Sequence, residues 1–278
     1  LWAYNGTQMS KELNVEAKHS LERETAHRVD CFTTVSEVTG SECEELMDKK
    51  CHAILPNGFE ADFVPKAAEF KRKRKIAREK IFQIANCLTG CEFPEDTLII
   101  GTSGRYEFHN KGIDVFIDTL GQLNNTTTLT RQVVAVIAVP AHITEPYWYL
   151  TDTNKQPDYN NPAPEQYTTH SLYNYDSEPI ITYIKKNKLN NSPTDKVKII
   201  FIPSYLNGDD GIINYNYFDF LTAFDITVFA SYYEPWGYTP MESMALGVPT
   251  LTTSLAGYGS WLQNKIISNN VPLGVIQR

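Results

Sequence analysis

The chain has 278 residues, of which 42% are hydrophobic and 21% charged, enough to bury a substantial core and too apolar for a globally disordered polypeptide. Its formal net charge of −8 argues against a general nucleic-acid binder, and no apolar run approaches the roughly 20 residues that cross a bilayer. Five cysteines, an odd number, stand at Cys31, Cys43, Cys51, Cys87 and Cys91 without two close doublets, which predicts reduced thiols in a cytoplasmic protein rather than a zinc site.

In chain order, a helix is predicted near Leu13 to Val29, then a strand at Cys31 to Ser36 (CFTTVS), where small and β-branched residues dominate. Thr39 to Lys50 follows as a charged amphipathic helix. Ala53 to Leu55 is a short strand stopped by Pro56-Asn57-Gly58, and that turn is the predicted boundary between residues 1–56 and 57–278. The basic run Lys71 to Lys75 (KRKRK) lies inside a helical period from about Lys66 to Leu88, whose apolar side is Ile76, Ala77, Ile81, Phe82 and Ile84. Its charges are expected to form a solvated face.

Thr97 to Thr102 (TLIIGT) and Arg131 to Val139 (RQVVAVIAV) are continuous apolar runs, the pattern of strands covered on both faces. Gly112 to Leu123 reads as the helix between them. Residues 141–194 lack periodicity and are rich in Asn, Pro and Tyr, which predicts an insertion with one helical piece at Ile180 to Lys186. Alternation resumes with strands at Val197 to Ile202, Ile226 to Ala230 and Pro249 to Thr253, and with helices at Tyr217 to Ala223, from Met241 and from Tyr258. Such units wind right-handed into an α/β, Rossmann-like, mostly parallel sheet with helices on both faces. Ligands of that architecture bind beyond the carboxyl ends of the strands.

Two segments fall at such ends. Ser231 to Thr250 (SYYEPWGYTPMESMALGVPT) sets Glu234 and Glu242 eight residues apart around a Gly-Tyr-Thr-Pro turn. Strong helix formers follow from Met241, so the amides of Gly237, Tyr238 and Thr239 are expected at a helix N-terminus, where phosphate binds well. A diphosphate there would leave one carboxylate facing a sugar and the other a ribose. Ser103 to Asp114 (SGRYEFHNKGID) places Arg105 and Lys111 six residues apart after the strand that ends at Thr102. When a nucleoside diphosphate departs from a sugar, negative charge builds on phosphate, and fixed cations can offset it. Arg offers planar bidentate contacts and Lys a compact point charge. In an arbitrary loop the same cations would instead pair with Glu107 or Asp114. No acidic pair of the D-x-D type is present, and neither a metal nor another cofactor is expected.

The strings SYYEPWGYTP and GRYEFHNKGID closely resemble the eukaryotic-type glycogen synthases, retaining glycosyltransferases of the GT-B type with two Rossmann-like domains. So do LERETAHRVDCFTTVSEVT (Leu21 to Thr39), ILPNGFE (Ile54 to Glu60) and the stretch from Phe201 to Trp261. The resemblance spans nearly the whole chain except residues 141–194. It implies that residues 1–56 are the C-terminal part of the first domain and residues 57–278 an incomplete nucleotide-sugar-binding domain, so that the chain is expected to be a fragment. It implies transfer of glucose from UDP-glucose to the non-reducing end of an α-1,4-glucan.

By the same resemblance, Arg105 and Lys111 would hold the donor diphosphate and Glu234 would lie near the transferred glucose. Gly237, Tyr238 and Thr239 would cradle phosphate, and Glu242 would accept hydrogen bonds from the ribose. Tyr217 would stack on uracil, and Arg23 would reach the phosphate from the first domain when the cleft closes. The family carries a pocket histidine shortly before that arginine; His19 is close but not at that spacing, and no role passes to it. His27, His52, His109, His142 and His170 are expected to be structural or exposed. The partners implied are a nucleotide sugar and an α-glucan, with no nucleic acid or membrane, leaving room for an oligomer of the full-length enzyme. The Glu234–Glu242 spacing alone is shared with retaining transferases that use ADP-glucose or GDP-mannose. A fragment with half a cleft would act as a nucleotide- or glycan-binding module without turnover.

Overall fold

The computed structural model describes residues 5–151, 167–265 and 273–277. Two helices, α1 (Gly6–Glu12) and α2 (Glu16–Arg28), precede a small unit in which β1 (Thr33–Thr34) and β2 (Ala53–Ile54) pair in parallel across α3 (Glu37–Met47). α3 begins earlier than its charge pattern suggests because Ser36 and Thr39 close a capping box. Ser36 Oγ accepts the Thr39 amide at 3.3 Å, and Thr39 Oγ1 accepts the Ser36 amide at 3.2 Å. That cap ends the preceding strand, which keeps two of the six expected residues.

The long helix α4 (Ala67–Thr89) leads into the main sheet through β3 (Leu98–Ser103), α5 (Ile113–Asn125) and β4 (Val133–Ala138). The insertion then contributes β5 (Ile143–Pro146), α6 (Trp148–Thr151), β6 (His170–Leu172) and α7 (Pro179–Lys186). Sequence periodicity found α7 and missed the antiparallel pair β5–β6; residues 152–166 of the insertion lie outside the described residues. The chain returns through β7 (Val197–Ile202), α8 (Tyr217–Leu221), β8 (Ile226–Val228), α9 (Tyr238–Ala245), β9 (Thr250–Thr253), α10 (Gly257–Lys265) and β10 (Leu273–Ile276). The strand order is β10-β9-β8-β3-β4-β7, and every pairing in it is parallel.

Alternate residues of the central strands feed two separate layers, as a period of two requires. Ile99, Val134, Val136 and Ile200 pack under α4, with Ile81, Ile84, Leu88 and Phe224. Val133, Ala135, Ile137 and Phe201 pack under α5 and α7, with Phe116, Ile117, Leu120 and Ile181. Fully burying one such side chain stabilises the fold by about 1.5–3 kcal/mol, so both helical layers contribute to holding the sheet together.

In the basic run on α4, Lys71, Arg72 and Lys75 are exposed as a solvated face requires, while Lys73 and Arg74 depart from it. Lys73 Nζ lies 2.6 Å from Asp219, while Arg74 and Arg78 grip the two carboxylate oxygens of Asp225 at 2.5 and 2.7 Å. Arg74 also donates to the Thr222 and Phe224 carbonyls, and Arg78 to those of Ala223 and Thr97. These guanidiniums satisfy the carbonyls where α8 ends and hold Asp225, whose Oδ2 in turn accepts the Ile99 amide at 2.8 Å. Helical spacing identifies which residues share a face, but not that carboxylates 146 and 151 residues further along the chain arrive there.

Candidate functional site

The order in which strands are added reverses between β3 and β8. The chain winds outward from β3 through β4 to β7, then crosses back to lay β8, β9 and β10 on the other side. A crevice therefore opens at the carboxyl ends of β3 and β8, the switch point where open α/β sheets bind ligands. Four loops meet there around a cavity of about 790 Å³.

The loop after β3 supplies Gly104, Arg105, Tyr106 and Lys111. Its end is fixed by Gly112, which begins α5 with φ of +66° and lies so close to the end of the neighbouring segment that an added Cβ would stand 2.0 Å from the Ala230 carbonyl oxygen. Only a glycine tolerates both constraints. The Tyr232 amide donates to the Asn110 carbonyl at 2.9 Å, tying the loop to the segment after β8. Lys111 is thereby carried to Glu234, and the two form a half-buried ion pair. Arg105 is exposed and pairs with Glu107 at 3.1 Å, the local partner that an arbitrary loop would offer.

The segment after β8 supplies Glu234, Tyr238, Thr239 and Glu242. Glu234 is pinned through its backbone, since its carbonyl accepts the Gly257 amide at 3.0 Å. Gly237 caps α9 with φ of +101° and no side chain caps the helix, so the first-turn amides and the positive end of the helix dipole are turned toward the crevice. Glu242 lies one turn on. Burial pushes its carboxyl above the usual carboxylate range.

Tyr217, the first residue of α8, lines the same cavity and its hydroxyl bonds Ser103 Oγ at 2.9 Å. Burial pushes its phenol well above the ordinary tyrosine range, against the opposing effect of the Ser103 hydrogen bond. Tyr106 is raised likewise, by burial and by its hydrogen bond to Glu178.

Eight of the nine residues singled out from sequence thus converge on one cavity or its helical cap. Arg23 does not. It lies on α2 with its guanidinium 2.9 Å from Asp48 and 4.0 Å from Glu24, and it is absent from the cavity lining. His19, on the same helix, has its Nε2 buried without a partner among the described residues. Sequence reading missed Pro140 and the run Ser204, Tyr205, Leu206 and Asn207 after β7. Ser204 is 6% exposed and its Oγ has no partner among the described residues. The signal available was positional: PSYLNGDDG is a turn cluster directly after a buried strand. A second cavity, of about 690 Å³ between α2, α3 and β1, is mostly apolar and has Glu22 as its one charged lining residue.

A parallel sheet whose strand order reverses beside a helix-capped crevice is the Rossmann-like arrangement found in GT-B glycosyltransferases. The backbone matches sucrose-phosphate synthase from Thermosynechococcus elongatus with a TM-score of 0.54 at 17% identity, over 94% of this chain and 49% of that one, a likeness of fold. Sequence narrows the class: the chain belongs to the glycogen synthase family, whose sequence model matches residues 5–147 and 160–277. It is 33% identical over 315 residues to glycogen [starch] synthase of Neurospora crassa, covering 93% of this chain and 44% of that protein. Identity is 30% with isoform 2 of Saccharomyces cerevisiae and 27% with the liver form of Homo sapiens, over 91% and 95% of this chain. The chain spans about 44–45% of the length of these relatives.

Proposed function

We propose that the crevice between β3 and β8 is the donor side of a retaining glucosyltransferase that moves glucose from UDP-glucose to the non-reducing end of an α-1,4-glucan. The observation that carries this reading is the meeting of Lys111 and Glu234 beside the uncapped start of α9. A diphosphate laid across the α9 amides is met by Lys111 from one side and by Arg105, swinging from Glu107, from the other. As the bond from the sugar to the diphosphate breaks, the charge collecting on phosphate is offset by these cations and by the helix end. Glu234 faces the sugar carbon that turns cationic and stabilises it, or holds the sugar hydroxyls. Tyr217 offers a ring to the base and Glu242 accepts from the ribose.

In this reading no metal takes part, because two side-chain cations and a helix end fill the role a divalent ion plays elsewhere. Residues 1–56 belong to a first domain and residues 57–278 to the nucleotide-sugar domain, and Arg23 reaches the phosphate when the two close on each other. Among the described residues no helix is long and apolar enough to cross a membrane; we place the enzyme in the cytoplasm, acting on soluble glucan. The chain taken alone holds the nucleotide better than it turns it over.

The test is transfer of radiolabelled glucose to glycogen by the full-length polypeptide carrying this sequence, from UDP-glucose, ADP-glucose and GDP-mannose in parallel. UDP-glucose is expected to be the preferred donor, and Glu234→Ala to cut turnover by about 100-fold or more. Preference for another donor, or undiminished turnover by the variant, would sink the assignment.

A further inference from the structure

The wall of the cavity formed by Ser204 to Asn207 belongs to a long loop between β7 and Tyr217, and that loop is seated on the insertion. Within the loop, the Asp210 carboxylate accepts the amides of Ile212, Ile213 and Asn214 at 3.3, 2.9 and 2.6 Å, and Asn207 bridges Asn216. These bonds give it a fixed shape but not a fixed place. Its place comes from β5 and β6. His170, on β6 and 1% exposed, contacts the Asp210 carbonyl through Nε2 at 2.8 Å and the Thr169 hydroxyl through Nδ1 at 2.8 Å. A carbonyl can only accept, so Nε2 carries the proton and Nδ1 accepts from Thr169. Burial lowers the imidazole pKa below its usual value, which favours this neutral form. On the same side Gly211 rests on Pro146, His170's cross-strand neighbour, with room so tight that a Cβ would lie 3.0 Å from Pro146 Cγ.

The seat is itself anchored in the sheet. The Phe201 amide donates to the Tyr167 carbonyl at 2.6 Å, and the Thr169 amide to the Phe201 carbonyl at 3.2 Å, so the strand holding His170 extends the pairing of β7. One rigid path therefore runs from β7 through His170 to the loop, and along the loop to Tyr217.

We propose that His170 is a positioning residue for nucleoside recognition: its Nε2–H holds the 204–216 loop so that this wall closes on the base and ribose, opposite the diphosphate contacts of Arg105 and Lys111. The inference rests on the nucleotide reading of the cavity. Two properties set it apart from a general contribution to folding. It acts on the nucleoside end of the ligand and not on the phosphate end, and it requires a donor at one atom. Gln presents an amide donor near the position of Nε2, whereas Leu fills the space without one.

The experiment is calorimetric titration of the chain and its variants with UDP and, separately, with pyrophosphate. His170→Leu is expected to bind UDP about 10-fold more weakly, the order lost with one buried hydrogen bond, while pyrophosphate binding is unchanged. His170→Gln is expected to recover UDP affinity to within about 3-fold, because the donor is restored. If His170→Leu does not fold, Pro146→Ala, which takes the exposed ring from under Gly211, should produce a UDP-selective loss of the same kind. Wild-type UDP affinity in His170→Leu, or an equal loss for UDP and pyrophosphate, overturns the inference while leaving the nucleotide site standing. Failure of the unmodified chain to bind UDP at all overturns the nucleotide reading and the inference with it.

Discussion

Lys111 and Glu234 stand 123 residues apart in sequence and meet as an ion pair where the strand order of the sheet reverses, with side chains 15% and 16% exposed. Neither strand alone creates the pair. It exists because Gly112 lets the β3 loop press against the segment after β8, and it leaves a cation and a carboxylate side by side near the start of α9, which no side chain caps.

The two charges should therefore be thermodynamically coupled. Removing either one strands the other in a half-desolvated place, so Lys111→Ala and Glu234→Ala are each expected to cost about 1–3 kcal/mol of stability. The double variant should cost less than their sum, with a coupling of about 1 kcal/mol or more in a denaturant-unfolding cycle. Additive losses would mean the pair is not formed in solution.

Arg105 and Lys111 are assigned to phosphate, so their effect should depend on the ligand having one. Truncating either to Ala is expected to weaken UDP by about 10-fold or more, the scale of a charge-assisted hydrogen bond. Uridine should be bound equally by both variants and the wild type. A comparable loss for uridine would place these side chains elsewhere in the ligand's footprint.

Glu242 gives a pH dependence of known sign. Burial raises its pKa in the unliganded protein, and a carboxylate accepting ribose hydroxyls binds best when ionised. Uridine affinity should fall as pH drops through that raised pKa and level off above it, and Glu242→Gln should bind weakly at every pH. A raised carboxyl pKa also means that stability is lost as pH rises from the unfolded value. Glu242→Gln should consequently melt higher than the wild type at neutral pH, a functional carboxylate being kept at the expense of the fold. A lower melting temperature for the variant would contradict this placement.

Much of this architecture was legible because it is written in local pattern. The continuous apolar runs at Leu98, Val133 and Val197 gave the three strands at one end of the sheet, and Gly237 before a helix-forming run gave the start of α9. What escaped depends on partners distant in the chain. Nearness in sequence offers Lys111 only Glu107 or Asp114, and it pairs with Glu234 instead; within KRKRK, Lys73 and Arg74 meet Asp219 and Asp225, which lie 146 and 151 residues further along the chain. β10 and the β5–β6 pair are short strands whose existence depends on a neighbour to bond with. The 204–207 wall has no periodicity at all, and only its position after a buried strand marks it.

The Asp225 clamp supplies an acid-stability test independent of ligand. Burial alone would raise this carboxyl, but the Ile99 amide and the charges and hydrogen bonds of Arg78 and Arg74 outweigh it and hold the pKa below the usual carboxylate range. A depressed pKa contributes stability that is fully present above the unfolded value near 4 and is lost as pH falls through the folded value. Asp225→Asn is expected to cost roughly 2–4 kcal/mol at neutral pH and to flatten the loss of stability below about pH 4. An unchanged acid-unfolding profile would show that the clamp carries no such weight.

The most direct measurement is a crystal structure of the chain with UDP bound. The account predicts the diphosphate between Arg105, Lys111 and the first turn of α9, the ribose hydroxyls on Glu242, and the uracil against Tyr217. UDP lodged in another cavity, or lying here with its phosphates turned away from Lys111 and α9, would contradict it.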